Sequence, residues 1–261
     1  MIVLPWSNFL RRLEAPMERI AMPAFRTSMS CAAPIVDIRK LEFGWTRRSS
    51  LLSIDQFEIA AGELVFLTGP SGCGKSTLLG LIAGVLLPRS GTVRVAGASV
   101  AALAPGERDR LRGAHIGFVF QMFNLIPYLN IRANVLLPLR FSAARRQRLA
   151  HTTPEVEVAR LLDALGLAGP DLANRPVAQL SIGQQQRVAA ARALIGRPEL
   201  VIADEPTAAL DAEARSDFLG LLIDECRSNA SAVLLVSHDR SIGALFDRSV
   251  AMSDLNRMAC H

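Results

Sequence analysis

Leu64-Val65-Phe66-Leu67-Thr68-Gly69-Pro70-Ser71-Gly72-Cys73-Gly74-Lys75-Ser76-Thr77 joins a short apolar run to a glycine-rich turn. Residues 69–77 match G-x-x-x-x-G-K-[ST]. A strand-like run precedes the match and the apolar helix Leu78-Leu79-Gly80-Leu81-Ile82 follows it, which is the context the motif requires. The glycines let backbone N–H groups turn inward around a β-phosphate, and the helix N-terminus adds its positive end. Lys75 is expected to reach the β- and γ-phosphates, and the Ser76 hydroxyl to ligate Mg²⁺. Gly69, Pro70, Ser71, Gly72, Cys73, Gly74 and Thr77 complete the cradle, Cys73 through its backbone alone. ATP or GTP is the expected ligand.

Working outward, three more apolar runs read as strands: Ile116 to Phe120, Leu200 to Ala203 and Val233 to Val236. Runs without polar alternation suit strands buried on both faces, as in a parallel sheet covered by helices. Each run ends on a residue that carries chemistry: Gln121, Asp204-Glu205 and Ser237-His238, beside the Gly69 turn of the first. Ligands of open parallel sheets bind beyond the carboxyl ends of the strands. Four strands therefore aim a glycine loop, an amide, two carboxylates and an imidazole at one edge. Singly, each has an ordinary explanation; a histidine after a strand is structural more often than catalytic. Their joint placement is what argues for a site.

The chain has 261 residues, 50% of them hydrophobic and 20% charged, enough to bury a full core. Its apolar runs are strand-sized, short of the roughly 18 residues of a spanning helix. A soluble protein, or one held to a membrane through a partner, is expected. The formal charge of +5 is read as a solvating arginine excess, since no RNA-binding or helix-turn-helix motif accompanies it. The basic run Arg145-Arg146-Gln147-Arg148 reads as an exposed helix face. Cys31, Cys73, Cys226 and Cys260 form no Cys-x-x-Cys pair, which argues against zinc or a disulfide framework. Residues 1–34 lack the pattern of a secretory signal. They read as an N-terminal tail, or as a start assigned too early with Met29 the alternative; Trp6, Phe9, Leu10 and Leu13 also suggest a small membrane foot.

Leu180-Ser181-Ile182-Gly183-Gln184-Gln185-Gln186-Arg187 opens another helix, with Ser181 as N-cap and Gln184 completing a Ser-x-x-Gln capping box. The segment resembles the LSGGQ signature of ABC ATPases. From about Ile35 to Ser253 the other elements of that family follow in order. The resemblance implies an α/β fold: a P-loop NTPase (RecA-like) core with a mainly parallel sheet, an antiparallel β region and an inserted helical subdomain. The implied ATPase domain spans 35–255, its helical subdomain about 122–180, with a C-terminal tail at 256–261. It also implies ATP and Mg²⁺ as cofactors. Gln121 looks like the Q-loop glutamine near Mg²⁺, Asp204 the Walker B aspartate on the Mg²⁺ shell, and Glu205 the general base. Ala208-Ala209-Leu210-Asp211 resembles the D-loop, His238 the switch histidine, and Trp45 the aromatic that stacks on adenine. Ser181, Gly183 and Gln184 would meet ATP bound by a second subunit, so a homodimer in the ATP-bound state is implied. Ile182 stands where the family has glycine, and Ala208 where a serine is common; reduced turnover is the expected consequence at most.

Between Gln121 and Ser181, the stretch Pro154 to Leu165 reads as a helix carrying Val156, Val158, Leu161, Leu162 and Leu165. Met122, Phe123, Leu125, Ile126, Tyr128 and Leu129 form an apolar patch expected to line a groove for a permease. The stretches Ile116 to Pro127 and Asn134 to Leu139 are similar to the LolD/MacB group, whose permease partners (FtsX/MacB-like) have few spanning helices. This implies a subunit peripheral on the cytoplasmic face of the inner membrane, with no nucleic acid partner and no intrinsic transmembrane segment. The cargo is not readable, because specificity resides in the permease. A regulatory or scaffolding role in the cell envelope is the rival reading. Chromosome-maintenance relatives need a long coiled coil, and translation-factor relatives a second cassette; this sequence has neither.

Overall fold

Leu64, Phe66, Val201, Ala203, Val233 and Leu235 belong to one buried cluster, while Val65, Leu67, Leu200, Ile202, Leu234 and Val236 belong to another. The alternation is the period of two expected when both faces of a sheet are covered. The computed structural model describes residues 33–46, 49–167, 169 and 172–258. Residues 1–32, with the proposed tail start and its amphipathic face, lie outside them, as do Cys31 and Cys260.

Two sheets carry the fold. In the first, β1 (Val36–Phe43) and β2 (Leu52–Ile59) run antiparallel. The β4 strand (Ser90–Val95) pairs with the other side of β1, and β5 (Ala98–Ser99) follows it. Val36, Ile38, Leu41 and Phe43 are all buried although their spacing is not a strict alternation. A register shift against β4 between Arg39 and Glu42 resets the phase, as a bulge does, and Lys40 at φ 47° sits within it.

The second sheet is parallel and, among the described residues, five-stranded. It comprises β3 (Leu64–Thr68), β6 (Ile116–Val119), β7 (Leu200–Asp204), β8 (Ala232–Val236) and β9 (Arg248–Ala251), in spatial order β6-β7-β8-β3-β9. The β9 strand has a weak apolar pattern and was not anticipated; it pairs with β3. One face packs against α1 (Lys75–Ile82), α2 (Pro105–His115) and the antiparallel sheet. The other face carries α3 (Ile131–Phe141), α5 (Pro154–Ala164), α6 (Ile182–Leu194) and α7 (Ala212–Ser228). Leu64, Leu161, Leu165, Leu219 and Leu222 here are no more than 1% exposed. Truncating one to alanine removes about 2–5 kcal/mol.

Two readings need correction, the exposed basic run and the C-terminal tail. Arg145, assigned to an exposed helix face, is 2% exposed. It lies in α4 (Ala143–Arg148) and donates to the carbonyls of Ala193 and Ile195, both at 3.0 Å, and of Ile116 at 2.5 Å. It therefore satisfies acceptors left at the C-terminal end of α6, a role that no sequence period marks. Burial lowers its pKa to about 10. Arg148, in the same run, binds the Ala114 carbonyl (2.6 Å) and Glu199 (2.5 Å). Val156, grouped with the apolar residues of α5, is exposed, while Val158, Leu161 and Leu162 are buried. Asn256, placed in a C-terminal tail, is buried. It accepts from Ser53 N–H at 2.8 Å and donates to the Leu51 carbonyl at 2.9 Å, and Arg257 N–H donates to Ser53. After α8 (Met252–Leu255) the chain thus still clips onto β2.

Candidate functional site

The loop leaving β3 is too tightly packed for a side chain at two of its glycines. A Cβ on Gly69 would stand 2.9 Å from both Cys73 Sγ and Met252 Cβ. Gly74, at φ 97°, is the N-cap of α1, and a Cβ there would meet Leu52 Cδ2 at 2.6 Å. That left-handed position suits glycine alone. The first turn of α1 has no side-chain cap and no acidic residue, so its N–H groups and positive end stay available to an anion. Lys75 Nζ donates to the carbonyls of Gly69 (2.7 Å) and Pro70 (2.8 Å) and so lies across the loop. Cys73 is buried and presents backbone only.

Asp204 ends β7 and lines the same cleft as Ser76. Burial raises its pKa above its ordinary value, against the opposing effect of the nearby Ser76 hydroxyl; the Glu205 charge adds to the rise and Lys75 counters it. Glu205 follows at φ 46°, a conformation that costs a non-glycine residue about 1–2 kcal/mol. Its N–H donates to the Val236 carbonyl at 2.9 Å, so the chain turns off the sheet at once. Glu205 Oε2 lies 3.0 Å from His238 Nδ1. A carboxylate can only accept, so Nδ1 carries the hydrogen. His238 remains 73% exposed beyond β8.

These groups share one cleft of about 580 Å³. It is lined by Ser71, Gly72, Gly74, Lys75, Ser76 and Thr77 from the loop, with Gln121, Asp204, Glu205 and His238 from the other strand ends. Trp45, packed edge-on to Phe43 at 5.3 Å, closes one side. Leu51 and Ala208 also line it. No sequence signal marks Leu51, whose place depends on where β2 begins.

Ser181, Gly183 and Gln184 are not among the lining residues. The capping box they were expected to form is present. Gln184 N–H donates to Ser181 Oγ at 3.2 Å, and Ser181 N–H donates to Gln184 Oε1 at 3.1 Å. Ile182 beside them is 54% exposed. Asp211 is also outside the cleft and caps α7 through Ala214 N–H at 2.8 Å. Gly69, Pro70 and Cys73, expected to complete the cradle, do not line the cleft either; the first two accept from Lys75 through their carbonyls.

An uncapped helix N-terminus, a lysine and a glycine loop make a polyphosphate cradle. The Ser76 hydroxyl and Asp204 carboxylate, which line one cleft, supply the oxygen donors that a hard divalent cation takes.

Comparison with known proteins agrees. The family model described as "ABC transporter" matches residues 52–208. The lipoprotein-releasing system ATP-binding protein LolD of Novosphingobium aromaticivorans is 39% identical over 227 residues, 85% of this chain and 97% of that protein. The macrolide export ATP-binding/permease protein MacB of Salmonella choleraesuis is 38% identical over 197 residues, 76% of this chain and 29% of that longer protein. A dimeric post-hydrolysis structure of the ATP-binding cassette MJ0796, bound to ADP and Pi, superposes with TM-score 0.68 at 34% identity. It covers 83% of this chain and 93% of that one. With a matching cleft, family model and near full-length relative, the chain belongs to the ATP-binding cassette family of ABC transporters.

Proposed function

We propose that this chain binds and hydrolyses ATP to power a separate membrane permease of the LolD/MacB-like type. The observation that carries the reading is the convergence of the phosphate loop, Gln121, Asp204, Glu205 and His238 on one cleft.

The chain's own residues suggest how. The N-terminal N–H groups of α1 and the Lys75 ammonium would take the β- and γ-phosphates, Lys75 exchanging its two carbonyl partners for phosphate oxygens. Ser76, Asp204 and Gln121 would hold Mg²⁺, which when bound neutralises charge on the phosphate oxygens. Glu205 would take the proton of the attacking water, its carboxylate held by His238 Nδ1. Trp45, mostly exposed, offers a ring face to adenine.

Ser181, Gly183, Gln184 and Asp211 lie outside this cleft, which supports their use on ATP held by a second copy in a head-to-tail homodimer. No helix among the described residues is long and apolar enough to cross a membrane, which leaves a peripheral place on the inner membrane, through the permease, as the proposed location. Met122 and Tyr128 are strongly exposed next to Gln121 and are the residues offered to that permease.

Purified protein tests the reading by Mg²⁺-dependent phosphate release. Glu205→Gln is expected to bind ATP normally, lose turnover by about a hundredfold or more, and accumulate as a dimer with ATP. Lys75→Ala is expected to lose nucleotide binding. Unchanged turnover in Glu205→Gln, or unchanged ATP affinity in Lys75→Ala, overturns the assignment.

A further inference from the structure

Arg215, near the start of α7, reaches two loops at once. Its Nη1 pairs with Asp239 Oδ2, and its Nη2 donates to the Leu210 carbonyl at 3.3 Å. Asp239 directly follows His238 and is held on its other side as well. Its Oδ1 accepts from Ser241 N–H (3.0 Å) and Ser241 Oγ (2.7 Å), and its own N–H donates to Ser237 Oγ at 3.2 Å. Leu210 closes the turn that begins at Glu205, with its N–H bonded to the Thr207 carbonyl at 3.2 Å. One guanidinium thus bridges the two segments that carry Glu205 and His238. Neither Arg215 nor Asp239 lines the cleft, so any effect on chemistry passes through their neighbours.

We propose that Arg215 is a positioning residue for ATP hydrolysis, whose bridge from Asp239 to Leu210 holds His238 Nδ1 against Glu205 Oε2. The proposal rests on Glu205 and His238 being the hydrolytic pair. Both charged side chains of the bridge are about a quarter exposed, 27% and 26%, so the bridge also contributes to stability and the thermal midpoint is read beside kcat. The pair they align is sensitive to position, since a misplacement of about 1 Å lowers rates by about 10²-fold. A planar fork can hold the carboxylate and the carbonyl together, while a lysine offers a single charged point.

The test compares full-length parent, Arg215→Ala, Arg215→Lys, Asp239→Asn and the Arg215→Ala/Asp239→Asn double variant. ATP turnover, KM and thermal midpoint are measured beside Glu205→Gln. Arg215→Ala is expected to lower kcat about tenfold or more with KM for ATP within about twofold. Arg215→Lys should recover part of the loss, and the double variant should be no worse than Arg215→Ala, as expected for one shared contact. An Arg215→Ala kcat equal to the parent's, with Glu205→Gln inactive, overturns this proposal and leaves the hydrolytic pair standing. An active Glu205→Gln removes both. A kcat loss that tracks the melting temperature, is additive with Asp239→Asn and is not recovered by lysine reduces Arg215 to a structural tie and also overturns the proposal. Should Arg215→Ala fail to fold, the same readings on Arg215→Lys and Asp239→Asn decide it: unchanged kcat in both refutes the role.

Discussion

Replacing Arg160 by leucine removes the bridge between the helical region and α7. Arg160 binds Glu157 twice (2.8 and 3.0 Å) and Glu225 twice (2.6 and 3.0 Å). The glutamate side chains are 3% and 6% exposed, and Arg160 itself 41%. Both glutamates raise the Arg160 pKa beyond its already high ordinary value, through hydrogen bonds first and charge second. Without it, Glu225 keeps Asn229 Nδ2 at 2.6 Å, while Glu157 keeps no side-chain partner among those found in the described residues. Breaking a fully buried pair removes about 3–5 kcal/mol. The exposure of Arg160 lets water screen part of that, so about 2–4 kcal/mol is the working figure. For a domain of this size it corresponds to roughly 5–15 °C in Tm. Urea unfolding followed by circular dichroism should show a lower midpoint with an unchanged slope. The companion variant Glu157→Gln/Arg160→Leu/Glu225→Gln carries no uncompensated charge and is expected to regain at least half the loss. An Arg160→Leu protein within about 0.5 kcal/mol of the parent, or a triple variant no more stable than the single one, refutes the reasoning.

Asp204 has a raised folded-state pKa, so its ionised form destabilises the nucleotide-free fold at neutral pH, and that penalty is lost as pH falls through the raised value. Asp204→Asn should therefore melt higher than the parent at pH 7 while losing turnover, with the melting gap closing as pH approaches the ordinary carboxylate value. A gap that widens toward acid contradicts the burial argument. Gly74→Ala adds about 1–2 kcal/mol of left-handed strain and a contact with Leu52; nucleotide titration should show lost ATP binding. Asn134→Ala removes a fully buried amide that accepts from Ile126 N–H at 2.8 Å and donates to the carbonyls of Ile126, Leu129 and Asn130. A loss of about 2–3 kcal/mol is expected, with faster hydrogen exchange across 126–130; unchanged exchange there would show that the amide does not hold the loop.

The phosphate loop, the four strand ends and the Ser181 cap were readable in one dimension because each is a local rule. A glycine must take a left-handed turn, a strand covered on both faces must be apolar throughout, and a helix start must find an acceptor for its N–H groups. Strand β9 escaped because its pairing with β3 rests on long-range hydrogen bonds rather than on its own apolar pattern. Arg145 and Asn256 were misplaced for a related reason. A charged or amide side chain reads as solvated until the fold brings backbone groups to it, here the end of α6 and the edge of β2.

Chemistry and location therefore separate. The residue types in the glycine loop and at the strand ends specify a nucleotide site on their own, since the chemistry of phosphate admits few substitutes. That Glu205 reaches His238, that Arg215 spans two loops and that Ser181 stands away from its own chain's cleft follow only from the crossover connections of the sheet. Those connections set distances between residues far apart in the chain, and no local periodicity encodes such distances.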